Sequence, residues 1–166
     1  MGRLLHGTLA LCLCATPLWA QDAPWPVYVQ DNPTRCWIAD GPSGTTASRN
    51  GTDVSGNINR DTVLFYVSFW PDEGRVGEIS YTGGYQFAGG SVVTIEVGGQ
   101  TFELFTEGPM AWAGSPAEDQ RIILAMRDGI EAVVTATSTR GTEVIDNFSL
   151  QGFDLAMNDA QVRCAP

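Results

Sequence analysis

The chain predicts a mostly β fold, a β-sandwich with one short α-helix at about residues 116–128. Short apolar runs alternate with polar residues, glycine-rich turns separate them, and a single stretch has helical periodicity with matching caps.

The expected elements follow in order. Residues 21–33 are rich in Pro, Asp and Gln and read as an arm or first strand, with Trp25, Val27 and Val29 alternating. Thr34 to Ala39 is a short strand carrying Cys36, and Asp40 to Asn59 is a long polar loop with an edge strand around Thr45 to Arg49. Asp61 to Trp70 is the clearest strand. Val63, Phe65, Val67 and Phe69 share one face and Leu64, Tyr66 and Trp70 the other, so it is expected to be central and covered on both sides. Pro71-Asp72-Glu73-Gly74 turns into a more polar strand, Val76 to Thr82, and Gly83-Gly84 and Gly89-Gly90 then bracket Tyr85 and Phe87 in a loop.

Val93, Ile95 and Val97 alternate into Gly98-Gly99, and Phe102 and Leu104 alternate on return, which is a hairpin pattern. In the helix, Ser115 is the N-cap, Pro116 opens the first turn, Glu118 completes a capping box and Gly129 is the stop. Ile122, Ile123, Met126 and Ile130 form its expected buried stripe. Two strands, Glu131 to Thr139 and Thr142 to Phe153, flank the Arg140-Gly141 turn, and Ala156, Ala160 and Val162 are compatible with a helical turn in the tail. Residues 34–166 are expected to form a single β-sandwich domain.

Residues 1–20 read as a secretory signal peptide. Arg3 provides the positive charge, Leu4 to Cys14 is apolar apart from His6, Gly7 and Thr8, and Ala20 offers a cleavage point. A buried N-terminal helix is the alternative. The stretch is shorter than the about 20 apolar residues a bilayer crossing takes. No later segment approaches that length, so no transmembrane segment is expected after cleavage and the destination is the periplasm or the cell surface. Cleavage would remove the only histidine, His6, together with Cys12 and Cys14. It would also take Arg3, so the basic count falls from nine to eight against 19 acids and the formal charge becomes −11. The remaining basic residues are all arginine. The acidic balance argues against nucleic acid and anionic membrane as partners, since both demand basic patches, and it selects no partner by itself.

Two cysteines, Cys36 and Cys164, remain in an exported chain, and a disulfide between them is expected, with two unrelated buried thiols as the alternative. Without histidine or lysine, Ser-His-Asp, Cys-His and Ser-Lys chemistry and His/Cys zinc sites are excluded for the cleaved chain. No P-loop, dinucleotide fingerprint or nucleophile elbow occurs. The expectation is therefore a non-catalytic binding or scaffolding protein with no catalytic residue, cofactor or metal, partnered by an envelope or extracellular protein.

Carboxylates keep a glycan hydrolase as the rival reading. Glu118-Asp119 beside Trp112 is its best pair, although both residues also suit a helix N-terminus. Asp72 and Glu73 are the candidates for calcium, without EF-hand spacing. A third reading is a structural or stress-related envelope protein with no defined ligand.

Phe65, Phe69, Phe102, Phe148 and Phe153 are expected in the core. Trp25, Trp70, Trp112, Tyr85 and Phe87 lie near strand ends or loops, where core packing competes with exposure on a binding surface. Arg140 is expected to tie its own loop to an acid, or else to anchor a carboxylate of a partner. Tyr85, Phe87, Trp112 and Arg140 are the candidate partner surface.

Several motifs are collinear with a known family. They are Arg35-Cys36-Trp37-Ile38-Ala39, Thr82-Gly83-Gly84-Tyr85-Gln86-Phe87, Phe102-Glu103-Leu104-Phe105-Thr106-Glu107-Gly108 and Ala111-Trp112-Ala113. Ala125-Met126-Arg127-Asp128-Gly129, Ser138-Thr139-Arg140-Gly141-Thr142, Phe148-Ser149-Leu150-Gln151-Gly152-Phe153 and Cys164 continue the series. From Trp25 to Cys164 the chain resembles the invasion associated locus B family of bacterial exported proteins. That resemblance implies an immunoglobulin-like β-sandwich, a periplasmic or surface location and a link to host-cell invasion or envelope interaction, with no catalytic residues to carry over.

Overall fold

The computed structural model describes residues 25–32 and 34–164. The expected signal peptide lies outside them. Among the described residues the fold is mostly β and sandwich-like, as the alternation predicts. Its strands are β1 (Val27–Asp31), β2 (Thr34–Asp40), β3 (Gly44–Arg49), β4 (Thr52–Asp53), β5 (Leu64–Trp70) and β6 (Arg75–Thr82). After these come β7 (Val92–Val97), β8 (Gln100–Glu107), β9 (Met110–Ala113), β10 (Glu131–Thr137) and β11 (Thr142–Ser149). Two helices, α1 (Pro116–Asp128) and α2 (Phe153–Arg163), complete the domain.

Every ladder is antiparallel, in the order β1-β2-β5-β6-β9-β8-β7-β10-β11-β3-β4. The sheet folds over so that the inner faces of its two halves meet. Phe65 on β5 and Tyr81 on β6 pack edge-on against Phe148 on β11, with ring centroids 5.7 and 6.2 Å apart. Phe65, Val67, Phe69, Ile79, Val93, Ile95, Phe102, Leu104 and Phe148 are all buried on this inner side. Apolar burial at about 25 cal/mol per Å² is the main force holding such a core.

Helix α1 spans the expected residues. The Ser115 hydroxyl accepts from the Glu118 N–H at 3.2 Å, while the Glu118 carboxylate turns to Arg121. Ile122, Ile123 and Met126 are buried, but Ile130 is 89 % exposed, because it lies beyond the helix end and leaves the periodic face. The helix sits where β9 stops pairing with β6. There the Asp119 carboxylate accepts the Ile79 N–H at 2.8 Å and Gln120 Nε2 donates to the Val76 carbonyl at 3.0 Å. Gly77, with φ of +82°, allows the approach: a Cβ there would stand 2.7 Å from Ile123 Cδ1.

The tail departs from the single-helix expectation. β11 ends at Ser149, and Phe153 opens a second helix instead of closing a strand. Gly152 with φ of +82° breaks the strand, and Phe153, Ala156, Met157 and Ala160 then recur at helical spacing and are buried. Cys164 follows this helix and is bonded to Cys36 on β2, with 5.9 Å between Cα atoms. The bond spans 128 residues, and closing so long a loop is worth about 4–5 kcal/mol in the chain-entropy account. Trp25 is buried between Phe65 and Phe153 and donates from Nε1 to the Ser149 carbonyl at 2.8 Å.

Candidate functional site

The four residues proposed as one partner surface separate. Phe87 is buried, packed on Tyr81 and Tyr85 and bridged to Ser138, so it belongs to the core. Tyr85 and Arg140 meet in one cleft, and Trp112 lies on a different surface.

The surface with Trp112 is the outer face of the sheet. Directly opposed residues in antiparallel strands share a face. Tyr28 stands opposite Trp37 and Trp37 opposite Ser68. One row along, Tyr66 is opposite Ser80, Ser80 opposite Trp112, and Trp112 opposite Phe105. Tyr28 stacks on Trp37 at 5.5 Å and Phe105 on Trp112 at 5.7 Å, and Ser80 is buried although it points outward between Tyr66 and Trp112. Trp70 completes the band, with the Arg35 and Arg75 guanidinium carbons 4.6 and 4.2 Å from its ring centroid.

β5 is therefore internal to the sheet but not covered on both sides. Leu64, Tyr66 and Trp70 are half-buried and Phe105 is 50 % exposed. Sequence reasoning missed Tyr28, Trp37 and Tyr66 as surface residues. The available signal was Trp37 alternating with Cys36 and Ile38, which places it opposite the disulfide face.

The groove beside Trp112, about 490 Å³, is lined by Phe105, Glu78, Glu107 and Asp119. Burial pushes the Asp119 carboxyl up to about 6; the Ile79 N–H works against that, while Glu78 and Glu118 add to it. Thus Asp119 lines the same groove as Trp112, whereas Glu118 is turned to Arg121. Of the calcium candidates, Glu73 is engaged by Arg75. Among the described residues no group of three or more Asp, Glu, His or Cys gathers as a metal site.

The cleft with Tyr85 and Arg140, about 410 Å³, is formed by the end of β3, residues 57–61, the loop after β6 and the β10–β11 turn. Gly84, at φ of +73°, holds two of these together. Its carbonyl accepts the Asp61 N–H at 2.9 Å, and a Cβ at Gly84 would lie 2.3 Å from the Asp61 carbonyl oxygen. The β10–β11 turn is tied to the same loop by the Thr139 N–H, which donates to the Gln86 carbonyl at 3.0 Å.

Below the cleft floor lies a buried polar cluster. Asp146 is fully buried and accepts two hydrogen bonds from Arg60, at 2.7 and 2.8 Å. Thr45 and Tyr81 hydroxyls donate to it at 2.5 and 2.7 Å. Burial alone would raise its pKa, but these donors and the Arg60 charge outweigh burial and hold the carboxyl below its ordinary range. Arg140, expected to tie its loop to an acid, makes no ion pair among the described residues; its turn is closed by backbone and Ser138 hydrogen bonds instead.

The fold and these surfaces define a disulfide-closed antiparallel β protein with an aromatic outer face and a polar cleft at one end. The family model described as Invasion associated locus B (IalB) protein matches residues 46–161, and the chain belongs to that family. No curated protein and no solved structure matches it.

Proposed function

We propose that this chain is an exported, non-catalytic binding protein of the periplasm or cell surface. Its outer aromatic face docks an envelope or extracellular protein. The observation that carries the reading is the band Tyr28, Trp37, Tyr66, Trp70, Phe105 and Trp112, partly exposed on one sheet face. Exposed aromatic clusters of this kind mark protein contact sites, because Trp and Tyr bury large area at low entropy cost. Glu78, Glu103 and Glu107 fall on the same face by register, so the fitting partner presents cationic groups around an apolar centre. The disulfide supports an oxidising compartment, and no described helix is long and apolar enough to cross a membrane.

The chain contains no lysine, so carboxylate-directed crosslinking on cells is the suitable probe. A discrete adduct of the native chain that disappears in Trp37→Ser/Trp112→Ser, with the disulfide fold intact by circular dichroism, is the expected result. An unchanged adduct pattern in that variant removes the aromatic face from the reading. Release by osmotic shock with resistance to protease on intact cells would assign the periplasm; digestion on intact cells would assign the surface.

One observation favours a glycan-directed enzyme as the second reading: Asp119, with its raised pKa, shares a groove with Trp112, Glu78 and Glu107. Its hydrogen bond to Ile79 gives the same carboxyl a role in holding helix α1 to β6. Envelope glycan hydrolysis that vanishes in Asp119→Asn would establish the enzyme over the binding protein.

A further inference from the structure

The cleft lined by Tyr85 and Arg140 has a charge distribution that the docking face does not explain. The described basic residues are eight arginines in a chain of formal charge −10. Arg60, Arg75, Arg121, Arg127 and Arg163 each pair with a carboxylate. Among the described residues Arg35, Arg49 and Arg140 do not, and two of these three, Arg49 and Arg140, line the same cleft. Two guanidiniums without an acid among the described residues therefore stand together at one cleft of an otherwise acidic chain.

The rest of the lining is matched to a polar guest. Arg49 is oriented by the Thr142 hydroxyl, which accepts from its Nε at 2.8 Å and Nη2 at 2.6 Å, leaving Nη1 uncommitted. Asn57, Asn59, Gln86 and Thr139 add neutral donors and acceptors. Tyr85 walls the cleft with its ring, its hydroxyl being buried away from the open space. Arg60 is neutralised by Asp146, and Asp61 is the only acid among the described lining residues, so these keep one net positive charge.

We propose that this cleft binds the oxyanion of a small hydroxylated molecule, a carboxylate or phosphate carried on a sugar-like body. The Arg140 fork takes the oxyanion, since planar guanidinium matches both groups bidentately, and Arg49 adds a further charged donor through its uncommitted Nη1. Asn57, Asn59, Gln86 and Thr139 take the hydroxyls. The volume of about 410 Å³ falls in the range of small-molecule sites.

Calorimetric titration of the disulfide-bonded chain with glucuronate, glucose 6-phosphate, inorganic phosphate and glucose, at low ionic strength, tests it. Saturable binding of glucuronate or glucose 6-phosphate is expected, weakened about tenfold or more in both Arg49→Ala and Arg140→Ala. The tighter of the two arms identifies the oxyanion. Glucose, lacking the charge, should give no saturation in the same range. Absence of saturation with both anions up to about 10 mM, or binding unchanged in both variants, overturns the site. Inorganic phosphate binding as tightly as glucose 6-phosphate overturns the role of the hydroxyl-binding groups.

Discussion

Asp146 and Asp119 are both buried carboxylates, and their surroundings drive them in opposite directions. Asp146 receives Arg60, Thr45 and Tyr81 and is held ionised. Asp119 receives one backbone N–H, has Glu78 and Glu118 as charged neighbours, and is pushed up to about 6. Burial is common to the two; donors and neighbouring charge separate them. The first residue is a structural keystone of one end of the sandwich, and the second holds α1 to β6 at a cost that varies with pH.

The largest effect should come from removing the keystone. Asp146→Ala strands the Arg60 guanidinium, whose side chain is only 13 % exposed, and should cost about 3–5 kcal/mol in denaturant unfolding at pH 7. The double variant Arg60→Met/Asp146→Leu should cost less than Asp146→Ala alone, because no unpaired charge remains. A cost below about 1 kcal/mol for the single variant would break the comparison.

Asp119 sharpens the contrast through pH. Its folded pKa lies above the 3.8 of the unfolded chain, so ionisation opposes folding. Its full cost is present above pH 6 and is relieved as pH falls from about 6 to about 4, by roughly 2–3 kcal/mol at most. Asp146 behaves oppositely: its contribution is present above the unfolded value and is lost only as pH falls through its depressed folded pKa. Asp119→Asn keeps an acceptor for the Ile79 N–H. It should therefore flatten stability between pH 4 and 6 without loss at pH 8. A stability curve identical to that of the native chain would show that Asp119 does not titrate in this range.

The smallest effect is expected at the open end of the cleft. Arg140→Ala should change stability by less than about 0.5 kcal/mol, because it is exposed and meets no carboxylate among the described residues, and Arg49→Ala by about 1 kcal/mol, because it also loses its hydrogen bonds to buried Thr142. A thermal shift as large as that of Asp146→Ala would make Arg140 or Arg49 part of the structural cluster instead.

Much of the local structure was legible in the chain. Alternation at Val93, Ile95 and Val97 and at Phe102 and Leu104 around Gly98-Gly99 yields β7 and β8 in the expected register, with positive φ at both glycines. The cap at Ser115 and the stop at Gly129 place α1 correctly. Two expectations failed for one reason, that periodicity reports which residues share a face and not what covers that face. Leu64, Tyr66 and Trp70 are on a common face as expected, but it is an open surface. Ile130 continues the apolar spacing of α1 but lies past its end. In the tail, the expected strand runs on to Phe153, but Phe153 is out of phase with the inward residues Val144, Phe148 and Leu150, and the positive φ at Gly152 and the packing of Ala156 and Ala160 make the segment a helix.

The sequence by itself determined the mostly β class, the hairpin, the first helix and the two cysteines that pair, because these depend on local geometry, side-chain alternation and composition. Tertiary structure decided which aromatics face out, which of Tyr85, Phe87, Trp112 and Arg140 share a surface, and which arginines remain without an acid. Those outcomes depend on contacts between residues such as Thr45, Arg60, Tyr81 and Asp146, which are distant in sequence and adjacent only after the sheet folds over. A linear pattern carries no term for such distances; strand register and sheet closure supply it.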